Sequence, residues 1–136
     1  VKKNLTISAA CLINNQGEIL LVRKRGTTKF MQPGGKPEAG ETALQTIIRE
    51  IREELGLSFT ADELQYDGEW IGPAANEAET MIRASLYSAA FDGELVPLAE
   101  LEELLWIDPQ VALERDDLAP LLRDRVLPLA IERSKK

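Results

Sequence analysis

The sequence of 136 residues contains no histidine. That absence removes a Ser-His-Asp or Cys-His nucleophile system. It also removes every zinc site built on imidazole, H-E-x-x-H included. A general base must then be a carboxylate, a lysine, a tyrosine or a metal-bound water. Cysteine is nearly absent too. Cys11 is alone, so no internal disulfide can form, and one thiol in an apolar stretch points to a reducing, cytoplasmic setting. Aromatic residues make up only 5% of the chain. Long apolar runs are missing as well. Asn4, Thr6 and Ser8 interrupt the first hydrophobic stretch, so neither a signal peptide nor a membrane span of about 20 apolar residues is expected.

What is present is 44% hydrophobic residues, 23 acids against 16 bases, and a net charge of −7. A chain of this length is expected to form one domain, residues 1–136, burying about two-thirds of its unfolded surface. The negative charge argues against a nucleic-acid polymer as partner. It leaves two readings, a hard cation held by carboxylate oxygens or an ordinary acidic surface, and composition does not choose between them. The charges are sorted along the chain. Both ends are basic, and the stretches Glu53–Met81 and 92–117 are acidic. No Pro/Gly/Ser-rich linker separates these zones, so they read as faces of one domain.

Leu5, Ile7, Ala9, Cys11 and Ile13 alternate with the period of a half-buried strand. Asn14–Gly17 is a hairpin turn signal, and Ile19–Arg25 returns as the second strand. Phe30–Gln32 is a short extended piece. Leu64–Ile71 and Thr80–Phe91 are longer strands, and Leu104–Ile107 is the last. Asp108 with Pro109 caps a short helix reaching Glu114. Leu118–Arg133 is a C-terminal helix in which Pro128 should produce a kink or a split.

Residues 34–57 read GGKPEAGETALQTIIREIREELGL. Glu41-Thr42 opens a helical pattern and Gly56 closes it. Leu44, Ile47, Ile48, Ile51 and Leu55 form one apolar stripe facing the core. The acids on this helix are oddly placed. Glu50 and Glu54 are an i,i+4 like-charge pair, which is destabilising. Glu53 and Glu54 also occupy the last turn, where the helix dipole disfavours negative charge. Such a violation of local preference is where function is expected. Three carboxylates on one rigid turn suit Mg²⁺ or Mn²⁺. The competing reading is a solvated acidic face laced by Arg49.

The same residues match a known motif. Gly35, five residues, Glu41, seven residues, then Arg49-Glu50-Ile51-Arg52-Glu53-Glu54-Leu55-Gly56-Leu57 resembles the Nudix box, G-x5-E-x7-R-E-U-x-E-E-x-G-U with U aliphatic, at every fixed position. The resemblance implies a Nudix hydrolase of α/β class, with a mixed β-sheet between helices. It implies cleavage, with Mg²⁺ or Mn²⁺, of a nucleoside diphosphate linked to a further group. By the same resemblance Glu53 and Glu54 are principal metal ligands, and Glu50 is a further ligand or the base on the attacking water. The Gly35 carbonyl is a backbone ligand, Arg49 orients the glutamates, and Glu41 is an outer partner of the metal. A further catalytic acid is expected before the last core strand, with Glu100 favoured over Glu103. Since relatives pair through strands, a homodimer is the expected assembly.

Substrate contacts are expected from Arg23, Arg25 and Lys29 on the phosphates. An aromatic platform for a base would come from Phe30, Trp70 or Tyr87, with Tyr66, Phe91 and Trp106 in the core. Pro73 matches a marker of ADP-ribose-type members, but proline in a Gly-Pro loop needs no special reason. Nucleotide sugars, oxidised or ordinary nucleoside triphosphates and dinucleoside polyphosphates all stay open. The alternative to an enzyme is a non-catalytic Nudix module that binds a nucleotide as a sensor or regulator. Such modules usually lose box glutamates, and this chain keeps all of them.

Overall fold

The computed structural model describes residues 3–74 and 78–135. Its frame is a mixed sheet of six strands: β1 (Lys3–Ile13), β2 (Ile19–Lys24), β3 (Gly34–Gly35), β4 (Gln65–Pro73), β5 (Thr80–Ala90) and β6 (Leu101–Ile107). The order is β4-β5-β1-β2-β6, with β3 pairing β1. β1 and β5 run parallel along their whole length, and every other pair is antiparallel. β1 is held by β2 only at its far end, where Ile13 faces Ile19. Farther back the same edge of β1 is taken by β3, with Ser8 opposite Gly35 and Ala9 opposite Gly34. That branch brings the two glycines into the sheet and fixes the start of the motif against it.

Side chains of a strand alternate between the two faces, and each face here has its own helical cover. Ala9, Cys11, Ile19, Leu21, Ala84 and Leu86 pack on Leu121, Leu122, Val126, Leu127 and Ala130 of the C-terminal segment. Ala10, Leu12, Leu20, Val22 and Tyr87 pack on Ile47, Ile51 and Leu55 of α1 (Ala43–Leu55). α1 has the expected ends. Thr42 accepts from the Gln45 N–H while the Gln45 side chain accepts from the Thr42 N–H, and Gly56 ends the helix at φ 73° in the left-handed region.

Several expectations shift. The Phe30–Gln32 piece makes only isolated bridges, Met31 to Val22 and Phe30 to Leu118. The strand itself is the glycine pair that follows. β6 starts at Leu101 rather than Leu104, because Lys24 pairs with Leu101 while Arg23 pairs with Glu103, with Glu102 of β6 bulging between them. α2 is one turn, Pro109–Ala112. The C-terminal helix is split, as Pro128 demanded. A π-helical turn, Leu122–Val126, precedes α3 (Leu127–Ser134), and the Leu127 N–H donates to the Leu122 carbonyl five residues back. Proline lacks the N–H that would continue the ladder, and the wider turn absorbs the mismatch. Among the described residues no helix is long and apolar enough to cross a membrane.

Candidate active site

The cradle is built where the start of β3 meets the inward edge of α1. Glu50 and Glu54 sit one turn apart beside the apolar stripe, and both are buried, at 9% and 1% exposure. This overturns the solvated-face reading for these two acids. Glu54 Oε1 accepts from the Gly34 N–H at 3.1 Å, while Oε2 has no partner among the described residues. The Glu50 carboxyl lies over Gly35, where a Cβ would overlap it. Glycine at 35 is therefore a space requirement. A Cβ at Gly34 would likewise collide with the Ser8 carbonyl.

Arg49 ties the other acids together. Its Nε donates to Glu41 Oε2 at 2.7 Å and its Nη2 to Glu41 Oε1 at 3.0 Å. Its Nη1 donates to Glu53 Oε1 at 3.0 Å and, more weakly, to Glu50 Oε1 at 3.3 Å. Nη2 also reaches the Lys36 carbonyl at 2.9 Å. Glu41 in addition accepts from the Thr46 hydroxyl and the Glu38 N–H.

Electrostatics follow from this packing. The Arg49 hydrogen bonds, aided by the Glu38 N–H, hold the Glu41 carboxyl down at about 2. Glu54 is pushed up to about 8, first by loss of hydration and then by the neighbouring Glu50 charge. Glu50 is pushed up to about 7, again first by burial, with Arg49 opposing and Glu53 adding. Two desolvated carboxylates lacking enough positive charge make a site that asks for a cation. Among the described residues no three acids converge into a ready-made cage, since the Arg49 guanidinium fills the space among Glu41, Glu50 and Glu53. The orphan Glu54 Oε2, the Glu50 carboxyl against Gly35 and the all-oxygen donor set fit a Mg²⁺ or Mn²⁺ ion that keeps several waters.

A cavity of about 510 Å³ adjoins the cradle. Glu50, Gly34 and Gly35 line one side, with Glu100, Lys24 and Lys36. Leu5, Ile7, Ile82 and Leu121 line the rest, and Pro73 stands at its wall. Glu100 is thus placed at the site and its charge acts on Glu54. Glu103 instead pairs with Arg23 at 2.6 Å. The loop carrying Glu100 is pinned by the Leu98 N–H donating to the Glu54 carbonyl and the Arg25 N–H donating to the Glu100 carbonyl.

The expected substrate contacts fare differently. Arg23 is occupied by Glu103 and the Thr27 carbonyl, and Arg25 by the Ala99 carbonyl. Lys29 lies near Asp117. None of the three lines the cavity. The basic residues there are Lys24, 3.5 Å from Glu100, and Lys36. Lys24 stands outside the expected contacts, although alternation along β2 places it on the face opposite Arg23 and Arg25. Lys36 was missed as well, and no spacing signal singled it out. Phe30 is a core residue at 5% exposure, with the Arg115 guanidinium 4.9 Å over its ring. Trp70 packs against the core with its ring over Gly72. Tyr87 is buried on the α1 face, and Tyr66, expected inside, is 56% exposed beside it. No aromatic platform lines the cavity among the described residues. A larger cleft of about 680 Å³, at the C-terminal ends of β1 and β5, contains none of the expected site residues.

The NUDIX domain model matches residues 2–129, and the chain belongs to the Nudix family. The 8-oxo-dGTP diphosphatase of Escherichia coli K12 is 37% identical over 60 residues, 41% of this chain and 46% of that protein. Phosphatase NudJ of the same strain is 32% identical over 69 residues, 49% of this chain and 45% of that protein. The matched stretch thus spans less than half the length of either relative. The crystal structure of the MutT protein from Methanosarcina mazei Go1 superposes with a TM-score of 0.81 at 22% identity, covering 99% of this chain and 98% of that one. The fold is therefore the Nudix fold, α/β with a mixed sheet between helices.

Proposed function

We propose that this chain hydrolyses the diphosphate bond of a nucleoside diphosphate linked to a further group, with Mg²⁺ or Mn²⁺ as cofactor. The observation that carries this reading is the buried pair Glu50 and Glu54, held against Gly34 and Gly35 with one carboxylate oxygen unpaired. Glu50, Glu53, Glu54 and the Gly35 carbonyl would hold the cation, with Glu41 outside them. The ion would supply neutralisation of phosphate charge and activation of the attacking water.

The chain's own groups do the rest. Arg49 fixes Glu41, Glu50 and Glu53 relative to one another, so the cradle needs no rearrangement when a substrate arrives. Glu50, a carboxylate lining the cavity, is one candidate for the general base where it is not itself a ligand of the ion. Glu100, at the cavity wall, is the second candidate for that role. Lys24 and Lys36 offer positive charge to the outer phosphates. The apolar walls between β1, β5 and residue Leu121 would keep water from the part of the substrate that does not react.

The relatives named for 8-oxo-dGTP and for a phosphatase activity support the reaction class and leave the leaving group open: nucleotide sugars or ADP-ribose on one hand, oxidised or ordinary nucleoside triphosphates on the other. The test is a substrate screen with Mg²⁺ across these compounds and dinucleoside polyphosphates, following phosphate or nucleoside monophosphate release. Turnover that disappears in Glu53→Gln and Glu54→Gln is expected. A complete lack of cation-dependent turnover would transfer the chain to the non-catalytic nucleotide-binding modules.

A further inference from the structure

Glu100 lines the cavity with its side chain 61% exposed, so packing does not hold it in place. Its ion contact with Lys24, 3.5 Å long and open to water on both sides, fixes little. What places the carboxylate is the backbone turn Leu98–Leu101, closed by the Leu101 N–H donating to the Leu98 carbonyl at 3.1 Å. This turn is strained. Ala99, its first inner residue, has φ 54°, and turns with a positive φ there favour glycine at that position. A Cβ makes the left-handed region unfavourable, and such a residue stays there only where its surroundings over-determine it. Backbone bonds fix the two ends: the Leu98 N–H donates to the Glu54 carbonyl at 3.0 Å, and the Arg25 N–H to the Glu100 carbonyl at 2.9 Å. One side chain grips the middle. Arg25 Nη2 donates to the carbonyl of Ala99 itself at 2.8 Å. Arg25 is exposed and does not line the cavity, so neither core packing nor reach toward a substrate explains that contact.

We propose that Arg25 is a positioning residue: by holding the strained Ala99 turn, its guanidinium keeps the Glu100 carboxylate at the cavity wall, where it serves the hydrolysis. This role rests on the hydrolase reading and on Glu100 as a catalytic acid within it. The guanidinium suits the task, because it is a rigid planar donor that stays charged, and a charge-assisted bond to a carbonyl is stronger than a neutral one. Without it the turn is free to move Ala99 out of the left-handed region, and a backbone rotation there re-aims Glu100. A phosphate contact, the role expected for Arg25, would raise KM when lost, whereas lost positioning lowers kcat.

Two readouts test this, and one of them needs no turnover. Arg25→Met keeps the aliphatic stem and removes the donors at an exposed position, so folding is not at stake. Hydrogen exchange at the Leu98 and Leu101 amides should speed up by about ten-fold or more in Arg25→Met, with the amides of α1 unchanged. Adding Ala99→Gly, which needs no clamp at that φ, should return both amides toward wild-type protection. The second readout is steady-state kinetics with Mg²⁺ on whichever compound of the screen above the wild type turns over. Arg25→Met should lower kcat by about ten-fold with KM within about two-fold, and adding Ala99→Gly should restore kcat. In a Glu100→Gln background Arg25→Met should change kcat by less than about two-fold, because it acts through that residue. Unchanged exchange at both amides, an unimpaired Glu100→Gln, a kcat that falls equally in that background, or a loss confined to KM overturns the assignment while the hydrolase reading stands. A wild type with no cation-dependent turnover removes the hydrolase reading, and the catalytic role of Arg25 with it, whatever the amides show.

Discussion

Arg49 is where the charges of the site converge, and a planar fork is what that convergence needs. One guanidinium meets Glu41 with two nitrogens, Glu53 and Glu50 with a third, and the Lys36 carbonyl as well. A lysine is a point charge that reaches one or two of these groups at a time. Arg49→Lys is therefore expected to lower kcat by about 10- to 100-fold, the usual cost of losing an orienting partner, while α1 stays folded. Steady-state kinetics beside a circular-dichroism melt checks this, and a kcat within two-fold of wild type would show that the glutamates hold their places without it. Cys11 is the opposite case, a residue whose chemistry is switched off. Burial, with Asp67 nearby, pushes its thiol up to about 12, so little thiolate forms at pH 8. A disulfide reagent at that pH should leave the native protein unmodified and titrate one thiol in denaturant. Fast labelling of the native state would mean that β1 opens.

At the scale of elements, α1 carries the motif on a helix whose ends are both secured. Thr42→Ala removes the side-chain acceptor of the capping box and is expected to cost about 1 kcal/mol. Gly56→Ala forces a Cβ into a left-handed residue and toward Leu98, 3.3 Å from that Cβ position, at a cost of about 1–2 kcal/mol. Urea unfolding of both variants measures these losses, and a change below about 0.3 kcal/mol in either would show that tertiary packing alone sets the helix boundary. This helix was legible in the sequence because its caps and its apolar period are local signals. The first two strands were legible for the same reason, since Leu5–Ile13 alternates and the Asn14–Gly17 turn followed by the apolar run Ile19–Val22 marks the returning strand. What was not legible depended on partners distant in sequence. The burial of Glu50 and Glu54 comes from β3 lying over them, and two glycines carry no strand period. The early start of β6 comes from its register with β2 across a bulge. Arg23 looked like a phosphate contact until Glu103 was placed across the ladder from it. Lys24, the residue left facing the cavity, was readable only once the alternation of β2 was tied to a known face.

For the whole molecule, the buried carboxylates link stability, pH and cation binding. Glu54 and Glu50 have folded-state values raised from 4.5 to about 8 and about 7. A carboxyl raised on folding stabilises the native state while protonated. That contribution is full below the unfolded value near 4.5 and is lost as pH climbs through the folded values. Glu41, lowered to about 2, acts in the opposite direction but only below about 4.5, so the two effects occupy separate windows. The metal-free protein should therefore lose stability from pH 5 to pH 8, by an amount on the order of a few kcal/mol. The cradle is packed between α1 and the sheet, so the loss should register in the global melting temperature. A divalent cation that binds the ionised pair reverses this, because a ligand of the native state stabilises by RT ln(1 + [L]/Kd) and its affinity rises as the carboxyls lose their protons. Millimolar Mg²⁺ should then raise the melting temperature more at pH 8 than at pH 5.5. Glu54→Gln should reduce the metal-free pH dependence, leaving the part due to Glu50, and shrink the Mg²⁺ shift together with it, since Glu54 contributes to both. A melting temperature that is flat from pH 5 to 8, or a Mg²⁺ shift equal at both pH values and intact in Glu54→Gln, would separate the buried acids from cation binding.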